Sequence, residues 1–175
     1  PISMLLPEMS EKMKAAMEMM LDGPVWIVLI SVSVFAPFFE EWLCRGIILR
    51  GLLTKVKPAW AIVISALIFG LIHGNLWQAI PAFIIGVILG YVYYKTGSLK
   101  LTMLMHCVNN TLSVIVSRIP AFEDVEFFAE VMSPWAYVLV VLAFAVVLAS
   151  GLVIMRSIPL KEDNLGGCDA IDSSF

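Results

Sequence analysis

Residues 37–50 read PFFEEWLCRGIILR, and two adjacent glutamates, Glu40 and Glu41, stand with Arg45 inside an otherwise apolar run. In a water-soluble helix such charges would form an ordinary polar face. The rest of the chain points elsewhere. Of its 175 residues 61% are hydrophobic and 14% charged, with a mean hydropathy of +0.95. Ordinary globular domains are roughly 45–50% apolar and about 25% charged, and a fold of this length cannot hide so much apolar surface from water. The composition is that of an integral membrane protein, with the lipid bilayer as its first partner. A net charge of −3 offers no basic patch, so no nucleic-acid partner is expected. Cys44, Cys107 and Cys168 form neither a disulfide framework nor a CxxC metal spacing.

Five apolar segments follow a polar start: residues 24–53, which carry the quoted stretch, then 59–73, 80–94, 99–117 and 135–155. A span needs about 20 residues, with a range of roughly 17–25. The first segment is longer than that and must tilt or protrude. The second and third are shorter, which suggests that the Gly74-Asn75 turn dips below the surface, where it can line a water-filled cavity. The expected fold is all-α, a polytopic transmembrane helical bundle of about five segments. Upstream, Met9, Met13, Met17 and Met20 recur at helical spacing with Glu and Lys between them, until Asp22-Gly23-Pro24 stops the pattern. That predicts an amphipathic helix lying at the membrane surface, or a linker packed on another domain. Three regions result: an interfacial helix or linker over 1–23, a transmembrane domain over 24–158, and a disordered cytoplasmic tail over 159–175. Pro1 in place of an initiating Met points to a fragment or a trimmed chain, with room for further spans upstream.

Basic residues orient the bundle. With Arg45 set aside as buried, Arg50, Lys55, Lys57, Lys95, Lys100, Arg156 and Lys161 fall on one side, against Lys12, Lys14 and Arg118 on the other. The second side also carries acidic Glu123, Asp124, Glu126 and Glu130. The positive-inside rule places the first group in the cytoplasm.

An ionisable group at membrane depth costs about 2.5–3.5 kcal/mol on insertion scales, so it needs a partner or a task. Glu41 precedes Arg45 by four residues, the favourable order for a helical ion pair. Glu40 points roughly 100° away, with Cys44 as its i+4 neighbour, and has no charged partner in its own helix. The two histidines, His73 and His106, also lie in apolar segments. A single such His is more often a packed, hydrogen-bonded core residue than a catalyst. His73 shares a face with Ser65 and Phe69, while Gly70 with Gly74, and Gly86 with Gly90, make small-xxx-small pairs. In the fourth segment Thr102, His106, Asn109, Asn110, Ser113 and Ser117 recur at spacings of three and four. Such stripes often serve as glue between helices, but His106 and Asn110 add two strong donors at i, i+4. At about 1.5 Å per residue, Glu40 and His73 lie roughly 21 and 24 Å from the cytoplasmic loop, and His106 and Asn110 roughly 9 and 15 Å. The first two can meet; the second two need tilt or a sunken loop to join them.

Three patterns thus occur in order, each in its own segment: EExxxR at Glu40-Glu41-x-x-x-Arg45, FxxxH at Phe69-x-x-x-His73 and HxxxN at His106-x-x-x-Asn110. Together, over about residues 36–118, they resemble the CAAX protease and bacteriocin-processing family, which includes type II CAAX prenyl endopeptidases and many bacterial membrane proteins. The resemblance implies an all-helical, glutamate-type intramembrane endopeptidase in a bacterial inner membrane, acting on a membrane-associated peptide or protein without a cofactor. By motif position Glu40 and His73 are the water-activating pair, His106 and Asn110 hold the oxyanion, and Glu41 and Arg45 support the site. Such chemistry needs a base near the water and donors where negative charge develops. Asn110→Ala is therefore expected to lower kcat on a peptide substrate by roughly 100-fold or more. Family members typically carry further membrane helices before the first motif, and this chain starts a short way upstream of it. Its C-terminus is not a CAAX box, since Asp172 stands fourth from the end.

Rival readings use the same residues. Glu40, His73 and His106 are a possible zinc set with an open fourth position, although no HExxH is present. Cys107 adjoins His106, yet helical neighbours point about 100° apart, and Cys44 is most simply a small packing residue. Outside enzymes, the polar groups would hold helices together in a membrane scaffold or regulator, or mark a proton or ion pathway. No internal repeat of the kind transporters carry is evident.

Overall fold

The computed structural model describes residues 9–119 and 133–159. The tail expected over 159–175, apart from its first residue, lies outside the described residues, as do Cys168 and the acidic stretch from Glu123 to Glu130. Regular structure among the described residues is helical throughout, with no strand. Helix α1 (Glu11–Leu21) is capped by Ser10, whose hydroxyl accepts from the Met13 N–H, and buries none of its residues. After Gly23 the chain enters α2 (Val25–Leu53), then α3 (Pro58–Leu71), α4 (Leu76–Thr96), α5 (Leu99–Val116) and α6 (Pro134–Ser157). Arg118, just past α5, donates to the carbonyls of Leu21 and Gly23 and ties the end of α5 to the α1–α2 junction.

Helices α2, α4 and α5 are long and apolar enough to cross a membrane; α3 is a shorter apolar helix. Phe39, Leu71, Leu104 and Leu112 are all more than half exposed on the outer surface. In water such a surface invites aggregation, whereas in a bilayer it matches its solvent. Trp26, Trp60 and Trp135 stand exposed in the first turns of α2, α3 and α6, the level at which indole rings favour the interface. The chain is a membrane protein.

Most of α2 departs from the ordinary helix. Leu29–Phe35 and Trp42–Leu49 are π-helical, with the Ala36 N–H bonded to the Ser31 carbonyl and the Arg50 N–H to that of Arg45, each five residues back. A wider turn advances less per residue, so the 29 residues of α2 span less than a rise of about 1.5 Å each would give. Part of the excess length expected of this segment is absorbed in its backbone. Between the two stretches sits Pro37, which has no N–H to give. In the register set by Ala36, the carbonyl it leaves without a donor is that of Val32.

Helix α4 begins four residues before the expected Ile80. Asn75 caps it by accepting the Gln78 N–H at 2.9 Å, and Pro81 lies inside the helix, where its missing N–H frees only the Trp77 carbonyl. At 21 residues α4 has the length of a span, while α3 stays short at 14. The two pack closely through glycines. A Cβ on Gly86 would sit 3.1 Å from both Cα and Cβ of Ala66, and one on Gly70 only 2.8 Å from the Ala79 carbonyl oxygen. Gly74, expected to share the contact with Gly70, has open space around it and serves the turn instead, with φ +70°. Because the Ala79 oxygen is backbone and cannot swing aside, Gly70→Ala is expected to cost about 1–3 kcal/mol, seen as earlier unfolding in mixed micelles.

Candidate active site

Glu41 and Arg45 meet as their spacing suggests, and more is built around them. Both are 0% exposed. Arg45 Nη1 donates to Glu41 Oε1 at 2.6 Å, and Nη2 donates to the Gly86 carbonyl of α4 at 2.9 Å. The guanidinium carbon lies 4.7 Å from the Phe69 ring centroid of α3. Buried charges are expensive unless paired and hydrogen-bonded. Here one arginine receives a carboxylate, a carbonyl and an aromatic face from three helices.

His106 of α5 joins the same cluster. Its Nδ1 lies 3.0 Å from Glu41 Oε1, and its Nε2 lies 3.6 Å from Glu40 Oε2. The ring therefore sits between the two adjacent carboxylates. The depths counted from the sequence set His106 well above Glu40, and the structure corrects that spacing. The π-helical stretch Trp42–Leu49 lies between Glu40 and the loop, so Glu40 is nearer the loop than a regular helix would put it. Glu40 itself contrasts with its neighbour: its side chain is 25% exposed and makes no hydrogen bond among the described residues.

His73 also meets Phe69. Its Nδ1 bonds to the Phe69 carbonyl at 2.9 Å, and among the described residues no hydrogen bond joins it to Glu40 or His106. The two histidine rings meet Phe69 edge to face, with centroids at 5.2 and 5.4 Å. Phe69, 1% exposed, is the hub around which both imidazoles and the guanidinium are arranged. Asn75 holds the turn below His73: its Nδ2 donates to the His73 carbonyl and to Gln78 Oε1, while its Oδ1 caps α4. An Asn followed three residues later by Gln is a capping pattern visible in the sequence.

Asn110 crosses to α2, where its Nδ2 donates to the Val32 carbonyl at 2.9 Å. That is the carbonyl stranded by Pro37. With no water available in a bilayer core, an unpaired backbone acceptor must be satisfied from within the protein, and the asparagine does so. The remaining stripe of α5 turns inward on itself. Thr102, Ser113 and Ser117 bond to carbonyls of their own helix, and Asn109 bonds to Asn110. Only His106 and Asn110 of that stripe reach another helix by a hydrogen bond among the described residues. Cys44 packs fully buried with Phe69 and Ala82. Ser65 donates to the Cys44 carbonyl at 2.8 Å. No three His, Cys, Asp or Glu side chains among the described residues gather closely enough to hold a metal ion, so Glu40, His73 and His106 do not form a ready zinc set.

Residues 22–112, which hold all three motifs, match the family model described as type II CAAX prenyl endopeptidase Rce1-like. The chain belongs to the Rce1-like family. Two curated proteins resemble this Rce1-like chain. "Putative membrane peptidase YdiL" of Bacillus subtilis is 28% identical over 63% of the chain, and an "Uncharacterized 24.3 kDa protein" of Escherichia coli is 29% identical over 52%. The chain spans 45% and 44% of their respective lengths. No solved structure matches it.

Proposed function

We propose that this Rce1-like chain is an intramembrane endopeptidase of a bacterial cell membrane. It hydrolyses a peptide bond of a membrane-associated protein or peptide with water activated by Glu40 and His73, without a metal ion. One observation carries the reading: the two adjacent glutamates live in different surroundings. Glu41 is wholly buried and committed to Arg45 and His106, whereas Glu40 is partly open and free of hydrogen bonds among the described residues. A general base must have an unoccupied oxygen to receive a proton, and Glu40 has it. His73 fits a place beside the water. A carbonyl only accepts, so the bond to Phe69 keeps the proton on Nδ1 and leaves the Nε2 lone pair for a water hydrogen. Asn110, with one amide hydrogen on Val32, has a second for an oxyanion. Water adds through oxygen to the carbonyl carbon as Glu40 takes its proton. His106 and Asn110 face the negative oxygen, and a proton passes to the amine as the C–N bond breaks.

The test is cleavage of a peptide library by the detergent-purified protein, alongside Glu40→Gln, with and without a zinc chelator. Chelator-resistant cleavage that disappears in Glu40→Gln is the expected result. Loss on chelation, restored by zinc, would replace water activation by glutamate with metal chemistry. Absence of cleavage by the wild type, across soluble and membrane-anchored peptides, would return the polar cluster to a scaffolding role.

A further inference from the structure

The bond between Glu41 and His106 decides where the imidazole keeps its proton. A carboxylate that already receives Arg45 at 2.6 Å has no hydrogen to give, so at the 3.0 Å contact Nδ1 must be the donor. A neutral ring then carries its lone pair on Nε2, the atom 3.6 Å from Glu40 Oε2. The arrangement is held from several sides. Gly86 fixes the guanidinium that fixes Glu41, Phe69 backs the ring, and both Glu41 and His106 are buried. The ionisable groups facing the ring are therefore Glu40 and Glu41 of α2, with Arg45 behind Glu41; from α3 it meets Phe69.

Resting on the peptidase reading, we propose that Glu41 is a positioning residue that locks His106 with its proton on Nδ1. Nε2 then begins as an acceptor, receives the proton that Glu40 draws from water, and becomes a donor only as the oxyanion forms. The proton count closes. The O–H bond of water breaks as its oxygen bonds to the carbonyl carbon, and the proton moves through Glu40 to Nε2. The resulting imidazolium is countered by Glu41 and donates to the oxyanion. Its proton then passes to the amide nitrogen as the C–N bond breaks, which restores neutral His106 and ionised Glu40. A ring protonated on Nε2 from the outset could donate to the oxyanion but could not take Glu40's proton.

Only two histidines occur in the chain, so selective labelling resolves the question. The full chain, carrying 15N-histidine, is examined in micelles by long-range 1H–15N correlation at about pH 8, above the ordinary histidine range near 6.5. A His73→Phe spectrum assigns the rings. In the wild type, His106 is expected with Nδ1 protonated and Nε2 bare. In Glu41→Gln the amide can offer its own N–H to Nδ1, and the proton is expected on Nε2. The same variant is expected to lose at least about 100-fold in kcat, toward the ~10⁴-fold that a wrongly held tautomer costs elsewhere, with KM changed by no more than about twofold. Glu41→Asp is expected to recover part of that kcat. Protonation of Nε2 in the wild type, or an undiminished kcat in Glu41→Gln, would overturn the proposal. The wild-type spectrum needs neither a folded variant nor any cleavage, so failure of the peptidase reading shows in the cleavage assay alone.

Discussion

Glu40→Gln is expected to lower kcat by about 10³–10⁴-fold, the upper part of the range for a general base, and to leave the unfolding midpoint where it was. The two halves of this result have one cause. Glu40 is partly exposed and forms no hydrogen bond among the described residues, where His106 Nε2 lies 3.6 Å from it. An amide of the same shape removes the proton acceptor without opening a cavity or orphaning a buried partner. Kinetics on a cleaved peptide, paired with unfolding in micelles, check both halves. Full activity would remove Glu40 from the chemistry, whereas equal losses of activity and stability would make it structural.

The largest loss of stability is expected from Arg45→Ala, about 3–5 kcal/mol, the cost of breaking a buried pair by removing one partner. The side chain is 0% exposed, and its removal leaves the buried Glu41 carboxylate with His106 alone and takes the guanidinium from the Gly86 carbonyl and the face of Phe69. Removing both charges is a different experiment. Glu41→Gln with Arg45→Met keeps the volume and discards the ion pair, and such exchanges are often close to neutral. The double variant is therefore expected to regain most of the stability lost in Arg45→Ala. Unfolding in mixed micelles reads both variants. A loss below about 1 kcal/mol for Arg45→Ala, the scale of an exposed ion pair, would contradict a buried network around Arg45.

Charges inside apolar sequence announce themselves because the bilayer makes them expensive, which is why Glu40, Glu41, Arg45, His73 and His106 can be picked out by eye. The helical spacing also pairs Glu41 with Arg45 and sets Glu40 apart. What stays hidden is mostly backbone. The Gly86 carbonyl that receives Arg45 has no signature among side chains, and Gly86 looks like a packing glycine until the arginine is in place. The π-helical turns of α2 leave no periodic trace in a largely apolar run, so a regular rise sets Glu40 too far from the loop. The first turn of α4 is hidden because polar Gln78 interrupts the apolar run ahead of Ile80, although Asn75 caps the helix well before it. Phe69 belongs to a visible motif, but only the folded chain shows it touching both imidazoles and the guanidinium.

Pro37 and Asn110 stand 73 positions apart in the chain, yet each explains the other. The proline withholds a hydrogen from the Val32 carbonyl, and the asparagine supplies one. An exchange at position 37 that restores the N–H would make the asparagine's gift redundant and release its amide. An exchange at 110 alone would leave an acceptor bare. Exchanges at the two positions are therefore expected not to add: each sets what the other costs.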